Sequence, residues 1–130
     1  LIGCEPETAN DAFLSLKNNA IYKFQNSPDT AADGLRTLAI SERTFNYIKK
    51  LDDFYLCSEY EIYYWTAWLT HLLKVACEPS SSLNMAGVLK WLKAKNTPQK
   101  VLVLISGGNI DPSFYNELAK EEYLLTPLIN

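Results

Sequence analysis

An unbroken apolar run near the end of the chain constrains the fold more strongly than any other feature. Residues 101–105 read Val-Leu-Val-Leu-Ile, and they lead directly into Ser106-Gly107-Gly108-Asn109 before a helix signal begins at Asp111. A continuous apolar, β-branched run is typical of a strand that is buried on both faces of a parallel sheet. Ligands of open α/β sheets bind beyond the carboxyl ends of such strands. The sequence therefore predicts a binding site at Ser106.

The rest of the chain alternates between strand and helix signals. Strands are predicted at residues 1–4 and 54–57, and residues 24–36, which show neither period, are predicted to form a long loop. This order predicts a single α/β domain over residues 1–130, with helices covering both faces of a mostly parallel sheet in three layers. The predicted helices start at residues that cap helices well: Thr8 or Asn10, Ser41, Ser58 with its capping-box partner Glu61, the triplet Ser80 to Ser82, and Asp111.

The longest predicted helix, which follows Ser58, is apolar on two sides. Such a helix is usually buried between layers or packed on another subunit, so most of its rings are predicted to be core. His71, the single histidine, lies in this helix without a neighbouring ligand pattern and is predicted to be structural. One face consists of Ile62, Trp65, Leu69, Leu72, Leu73 and Ala76, and the second stripe consists of Tyr60, Tyr64 and Trp68.

Composition excludes several classes of function. A hydrophobic content of 48% with 21% charged residues is typical of a globular protein, and a net charge of −3 gives no basic surface for nucleic acid. No run reaches the roughly 18 apolar residues that a membrane helix requires, and no signal peptide is visible. Cys4, Cys57 and Cys77 lack C-x-x-C spacing and are expected to be reduced and buried, which indicates a cytoplasmic protein.

Four short motifs, in this order, resemble the C-terminal part of the pyridoxal-phosphate-dependent serine/threonine dehydratases and the related serine racemases. They are residues 3–6 (Gly-Cys-Glu-Pro), residues 29–34 (Asp-Thr-Ala-Ala-Asp-Gly), Glu78-Pro79, and residues 104–111 (Leu-Ile-Ser-Gly-Gly-Asn-Ile-Asp). The resemblance implies a fold-type II enzyme of the tryptophan synthase beta superfamily, of which this chain, opening with Leu1, is the C-terminal portion. The lysine that bonds to the cofactor and the glycine-rich phosphate loop belong to the missing N-terminal part, so no catalytic residue is expected here.

The resemblance implies that Ser106 hydrogen-bonds the pyridine nitrogen of pyridoxal phosphate, either as donor or as acceptor, with Gly107 beside it. A neutral hydroxyl, unlike a carboxylate, does not keep the ring nitrogen protonated, and this favours elimination over transamination. From the residues alone, the alternative is a plain strand-to-helix turn whose glycines adopt positive φ.

Two further positions are implied to approach the cofactor. Gly34 matches the glycine whose backbone lies near the ring, and Glu78 matches the glutamate that supports the cofactor from behind. From the residues alone, Asp33-Gly34 is only a turn signal and Glu78 is an acidic residue at a helix boundary. The family commonly follows Glu-Pro with Ala and Gly, whereas this chain has Ser80-Ser81-Ser82.

Glu5, Ala9 and Asp11 match the positions at which serine racemases and some dehydratases bind a divalent cation. Two carboxylates and a main-chain carbonyl would suit Mg²⁺ or Ca²⁺, with water completing the shell. The alternative is that the acidic side chains complement the dipole at the start of a helix.

The resemblance implies that the parent protein is an L-threonine/L-serine ammonia-lyase that releases a 2-oxo acid and ammonia, and that this chain alone is inactive. A serine racemase or another β-hydroxy amino acid dehydratase is the alternative within the enzyme class. From another class, an inactive paralogue would act as a binding module through Tyr60, Tyr64 and Trp68.

The expected partners are the missing N-terminal part, a small amino acid, and further copies in a dimer or tetramer. The tail from Lys120 is expected to be too short for a regulatory domain.

Overall fold

Two parallel strands form the sheet in the part of the chain that the structure describes. The computed structural model describes residues 1–120 and 123–125. Strand β1 (Ile2–Pro6) pairs in parallel with β2 (Asp53–Cys57), and Cys4 lies opposite Tyr55 in the register. Both strands were expected from the sequence. Most of the tail after Lys120, including the expectation about a regulatory domain, lies outside the described residues.

Helices alternate with these strands and confirm the predicted α/β class. The loop over residues 24–36 is also present, with a single 3₁₀ turn at Asp33–Leu35. The helices are α1 (Asp11–Asn18), α2 (Glu42–Ile48), α3 (Glu59–Leu73), α4 (Pro79–Ser82), α5 (Asn84–Lys93) and α6 (Pro112–Lys120). None of the helices within the described ranges is both long enough and apolar enough to cross a bilayer.

Side chains at the helix starts explain where the helices begin. The Ser41 hydroxyl accepts a hydrogen bond from Thr44 N, and Ser58 and Glu61 form the predicted reciprocal capping box. At α1, Asn10 occupies the capping position but makes no capping bond with its side chain. The carboxylate of Glu5 replaces it, since its two oxygens accept from Ala12 N at 3.0 Å and Phe13 N at 2.9 Å. The start of α1 is therefore fixed by the end of β1.

The core lies between α3, β2 and the helices that follow α3. Ile62, Trp65 and Leu69 are buried as expected, but the last turn of α3 is not, because Leu72 and Leu73 are exposed and no described element covers them. In the second stripe Tyr64 is buried and Tyr60 is exposed, so the stripe is partly core. The core cluster consists of Ala32, Cys57, Ile62, Tyr64, Trp65, Leu69, Cys77, Leu83 and Ala86.

The predicted strand at residues 101–105 is wrong for the described chain. No strand forms there, and Leu102 and Leu104 are 96% and 74% exposed. A cavity of about 500 Å³ separates this segment from β1, with residues 1–4 on one side and residues 100–104 on the other. Paired strands lie about 4.8 Å apart, so a segment across a cavity from β1 has no ladder to join. The sheet is therefore parallel as predicted, but in the described residues it has two strands and an open edge at β1.

Candidate functional site

The segment after α3 is bonded directly to the Ser-Gly-Gly-Asn turn. Glu78 N donates to the carbonyl of Gly107 at 3.2 Å, and the Glu78 carboxylate accepts from Asn109 N at 3.3 Å. The structure thus brings Glu78, Ser106 and Gly107 together, although they lie on segments that the whole of α5 separates in sequence.

Ser81 in α4 is the centre of this contact. Its side chain is fully buried, and its Oγ accepts from Ser106 N at 3.1 Å and from Gly107 N at 2.9 Å. The same oxygen lies 3.0 Å from Ser106 Oγ. Sequence reasoning noticed Ser81 as part of a predicted helix start and as a departure from a family pattern, but the helix starts at Pro79 and Ser81 lies within it. Its role depends on the phase of α4, which directs the three consecutive serines to three different neighbours.

The long loop reaches the same helix through Ser80. Gly34 N donates to Ser80 Oγ at 3.0 Å and to the carboxylate of Asp33 at 2.8 Å. The loop is held from its other side by Glu59, whose carboxylate accepts from Ala31 N at 2.8 Å. Sequence reasoning assigned no such role to Glu59. All four predicted cofactor residues, Gly34, Glu78, Ser106 and Gly107, are therefore gathered around α4.

The glycines of the turn are needed for close packing and not for positive φ. None of the five glycines of the chain has a left-handed φ, so the alternative interpretation, in which the glycines of this turn adopt positive φ, is wrong on that point. A Cβ placed on Gly107 would collide with the carboxyl group of Glu78, and one on Gly108 would lie 2.5 Å from the main-chain oxygen of Ala76. The backbone of the turn therefore packs in direct contact with the segment before α4.

A second cavity adjoins the site without containing it. Its volume is about 490 Å³, and it lies between the loop and the start of α6. Neither Ser106 nor the other three predicted cofactor residues lines it. Arg36 is the single cation among its described lining residues, whereas the carboxylates of Asp29, Asp33, Glu59, Asp111 and Glu117 line it.

Glu5 and Asp11 meet where β1 ends and α1 begins. Both side chains are buried, and Ala9 between them is fully buried. Burial raises the pKa of Glu5 to about 7, against the two backbone hydrogen bonds that lower it, and the nearby charge of Asp11 raises it further. Burial also raises the pKa of Asp11. The Oδ2 of Asp11 is buried without a hydrogen-bond partner.

These observations fit both interpretations of the acidic pair. An unpartnered, buried carboxylate oxygen beside a second carboxylate suits a hard cation such as Mg²⁺ or Ca²⁺. In the part of the chain that the structure describes, no three side chains of the types Asp, Glu, His and Cys lie close enough together to hold a metal ion. A main-chain carbonyl such as that of Ala9 would therefore have to contribute. The hydrogen bonds of Glu5 to the start of α1 also stabilise the helix without any metal.

The fold and the site together define an α/β protein whose candidate ligand-binding groups, which are hydroxyls and main-chain amides, gather at a short helix. A family model described as pyridoxal-phosphate dependent enzyme matches residues 1–107. The chain belongs to this family, as its four motifs indicated.

Relatives with known activities cover nearly the whole chain. An L-threo-3-hydroxyaspartate ammonia-lyase of Saccharomyces cerevisiae is 35% identical over 119 residues, which are 91% of this chain and 36% of that protein. A serine racemase of Dictyostelium discoideum is 36% identical over 121 residues, covering 91% of this chain and 37% of that protein. The chain therefore spans a little over a third of the length of these relatives.

Solved structures agree with the predicted fold. A crystal structure of a threonine deaminase from T.th. has a TM-score of 0.77 and 37% identity, and the match covers 85% of this chain and 40% of that one. The processed form of threonine deaminase isoform 2 from Solanum lycopersicum has a TM-score of 0.80 and 27% identity over 92% of this chain and 33% of that one. The fold is that of the C-terminal portion of a fold-type II enzyme.

Proposed function

We propose that the parent protein is a pyridoxal-phosphate-dependent ammonia-lyase that converts L-threonine or L-serine to a 2-oxo acid and ammonia. The observation that carries this proposal is the turn at Ser106, which presents a neutral hydroxyl on a backbone held by Glu78 and Ser81. The names of the yeast ammonia-lyase and of the T.th. threonine deaminase support the reaction class. Residues 1–130 form one α/β unit of this parent and are inactive alone.

The residues of this chain bind and orient the cofactor. When bound, pyridoxal phosphate supplies an electron sink that weakens the bond from Cα to hydrogen in the amino acid. Ser106 meets the pyridine nitrogen with a hydroxyl that cannot hold a proton there as a carboxylate would. Gly107 and Gly34 bring backbone close to the ring because they carry no side chain. Glu78 supports the turn through Asn109 N. The tight fit of Gly107 against Glu78 supports this arrangement.

A second activity, serine racemisation or dehydration of another β-hydroxy amino acid, is favoured by the serine racemase of Dictyostelium discoideum at 36% identity. The parts of the site that face the substrate carboxylate belong to the missing part, so this chain does not select between the two. The inactive binding module has less support, because Tyr64 of its proposed contact stripe is buried in the core.

We propose Mg²⁺ or Ca²⁺ as a ligand of Glu5, Asp11 and the main-chain carbonyl of Ala9. A bound cation would neutralise two buried carboxylates and fix the junction between β1 and α1. The unpartnered oxygen of Asp11 supports the proposal. Such a cation would stabilise the fold and take no part in proton transfer.

The missing N-terminal part of the parent is the first partner of this chain. We propose that one of its strands enters the cavity between β1 and residues 100–104, because the edge of β1 is unpaired there and the walls are largely apolar. Insertion of a strand would convert residues 101–105 into the buried strand that their sequence indicates.

A small amino acid is the substrate, and further copies of the parent form a dimer or tetramer. Three unpaired thiols support a reducing, cytoplasmic location.

The visible absorption spectrum of the full-length parent tests the proposal. We expect a cofactor band that shifts when L-threonine or L-serine is added, while a 2-oxo acid accumulates. Formation of D-serine without a 2-oxo acid would favour racemisation. A colourless protein that stays inert after pyridoxal phosphate is supplied would overturn the enzyme proposal.

A further inference from the structure

We propose that Ser81 is a positioning residue that fixes the Ser106 hydroxyl as a hydrogen-bond donor toward the cofactor ring nitrogen. This inference rests on the proposed function, because it assumes that Ser106 faces the pyridine ring. It goes further by assigning the direction of the hydrogen bond and the residue that sets this direction.

The direction follows from the valence of the Ser81 oxygen. A serine hydroxyl can donate one hydrogen bond and accept two. Ser81 Oγ accepts from Ser106 N at 3.1 Å and from Gly107 N at 2.9 Å, and an N–H group can act only as a donor. Both acceptor positions of Ser81 Oγ are therefore occupied. The Ser81 hydroxyl can therefore make a further hydrogen bond only as a donor.

The neighbour that receives this proton is Ser106 Oγ, 3.0 Å away. Among the described residues it is the remaining polar atom within hydrogen-bond distance of Ser81 Oγ. Ser106 cannot donate to Ser81, because Ser81 has no acceptor position left. Ser81 therefore donates and Ser106 accepts.

Ser106 consequently keeps its own proton for the open side of the turn. Ser81 is fully buried, whereas Ser106 is exposed, so the two hydroxyls form a chain that runs from the interior to the surface. A hydroxyl that accepts a hydrogen bond is polarised and becomes a better donor. An unprotonated pyridine nitrogen is the acceptor that matches it.

The two neighbouring serines show that this role belongs to Ser81 alone. Ser82 is also fully buried, but its hydroxyl donates to the carbonyl of Glu78 at 3.0 Å. Ser80 accepts from Gly34 N in the loop. Ser82 therefore provides a matched control: the same residue type in the same short helix, equally buried, without a contact to Ser106.

The experiment uses the full-length parent loaded with pyridoxal phosphate that carries ¹⁵N in the ring. The ¹⁵N resonance reports whether the ring nitrogen is free, hydrogen-bonded or protonated, independently of turnover. In Ser81→Ala we expect a clear shift of this resonance and several-fold weaker cofactor retention. In Ser82→Ala we expect the wild-type resonance. Ser81→Cys, which keeps a weaker donor of similar size, should give an intermediate shift and serves if Ser81→Ala does not fold.

The double variant separates positioning from simple support of the turn. If Ser81 acts through Ser106, Ser81→Ala should add no further shift in a Ser106→Ala background. A wild-type resonance in Ser81→Ala, or an equal shift in both backgrounds, would overturn the inference while the enzyme proposal stands. A wild-type parent that takes up no cofactor would overturn both, and this is decided before any variant is made.

Discussion

At the scale of single residues, Glu5 shows why a motif can be read from sequence while its energetics cannot. Its place in the Glu-Pro motif at the end of β1 was evident, but its capping of α1 depends on the path of the chain. The two oxygens accept from Ala12 N and Phe13 N because the turn folds back over the strand end. The same turn buries the carboxyl group, and burial raises its pKa to about 7. Sequence alone gave no measure of that burial.

The raised pKa of Glu5 predicts how stability depends on pH. The folded protein holds the Glu5 proton up to about pH 7, whereas an unfolded chain releases it near 4.5. The folded state therefore binds more protons between these values, and the free energy of unfolding of the parent should fall as the pH rises through this window. The loss should be on the order of 3 kcal/mol. Urea unfolding across this pH range measures it.

Variants and cations provide the controls for this prediction. Glu5→Gln should remove most of the pH dependence, and Glu7→Gln, at an exposed position two residues away, should leave it unchanged. Mg²⁺ or Ca²⁺ should restore stability at pH 8 more than at pH 5, because a cation binds the ionised carboxylates. An identical pH profile for Glu5→Gln and wild type would contradict the assignment.

At the scale of elements, two glycines allow close contacts around α4: Gly108 in the turn lies against Ala76, and Gly34 in the loop lies against Ser80. In Gly108→Ala the new Cβ would meet the main-chain oxygen of Ala76, which cannot move aside as a side chain can. We expect a loss of about 1 to 3 kcal/mol of stability, together with weaker cofactor retention. Gly34→Ala should cost less stability, since the added Cβ would meet only the Ser80 side chain. Thermal unfolding of the two variants of the parent measures the two losses of stability. A larger loss in Gly34→Ala than in Gly108→Ala would contradict this account.

Elements with local signals were predictable, and the one that depends on a distant partner was not. Ser41 and Ser58 cap their helices as expected, because a cap needs only the next few residues. A strand needs a neighbour, so the composition of residues 101–105 was insufficient to predict their conformation in this chain. The same reasoning explains Ser81. Its residue type was visible, but its partners come from a segment beyond α5.

At the scale of the whole molecule, the open edge of β1 and the exposed leucines predict how the isolated chain behaves. Leu102 and Leu104 lie beside an unpaired strand edge, and such surfaces promote self-association. We expect the chain made alone to form oligomers whose size grows with concentration, as light scattering would show. Supplying the missing N-terminal part should give a defined complex instead.

A charged substitution tests whether the exposed segment at residues 101–104 is responsible. Leu102→Glu should reduce self-association of the isolated chain and should also weaken its complex with the missing part. Leu72→Glu, at an exposed position on α3, is the matched control and should leave that complex intact. Equal self-association of the Leu102→Glu variant and the wild-type chain would rule out the exposed segment at residues 101–104 as its cause.

The hydrogen bonds between α4 and the turn also have a consequence for connectivity. The turn is fixed by Ser81 and Glu78, and Asn84 holds the carbonyl of Leu104 just before it. The chain between α5 and the turn includes the exposed residues 94–100, and these residues make none of the hydrogen bonds that hold the turn. The cost of closing a loop grows only slowly with its length. An inserted peptide tag, or a new pair of chain ends, can therefore be accommodated there while the turn stays in place.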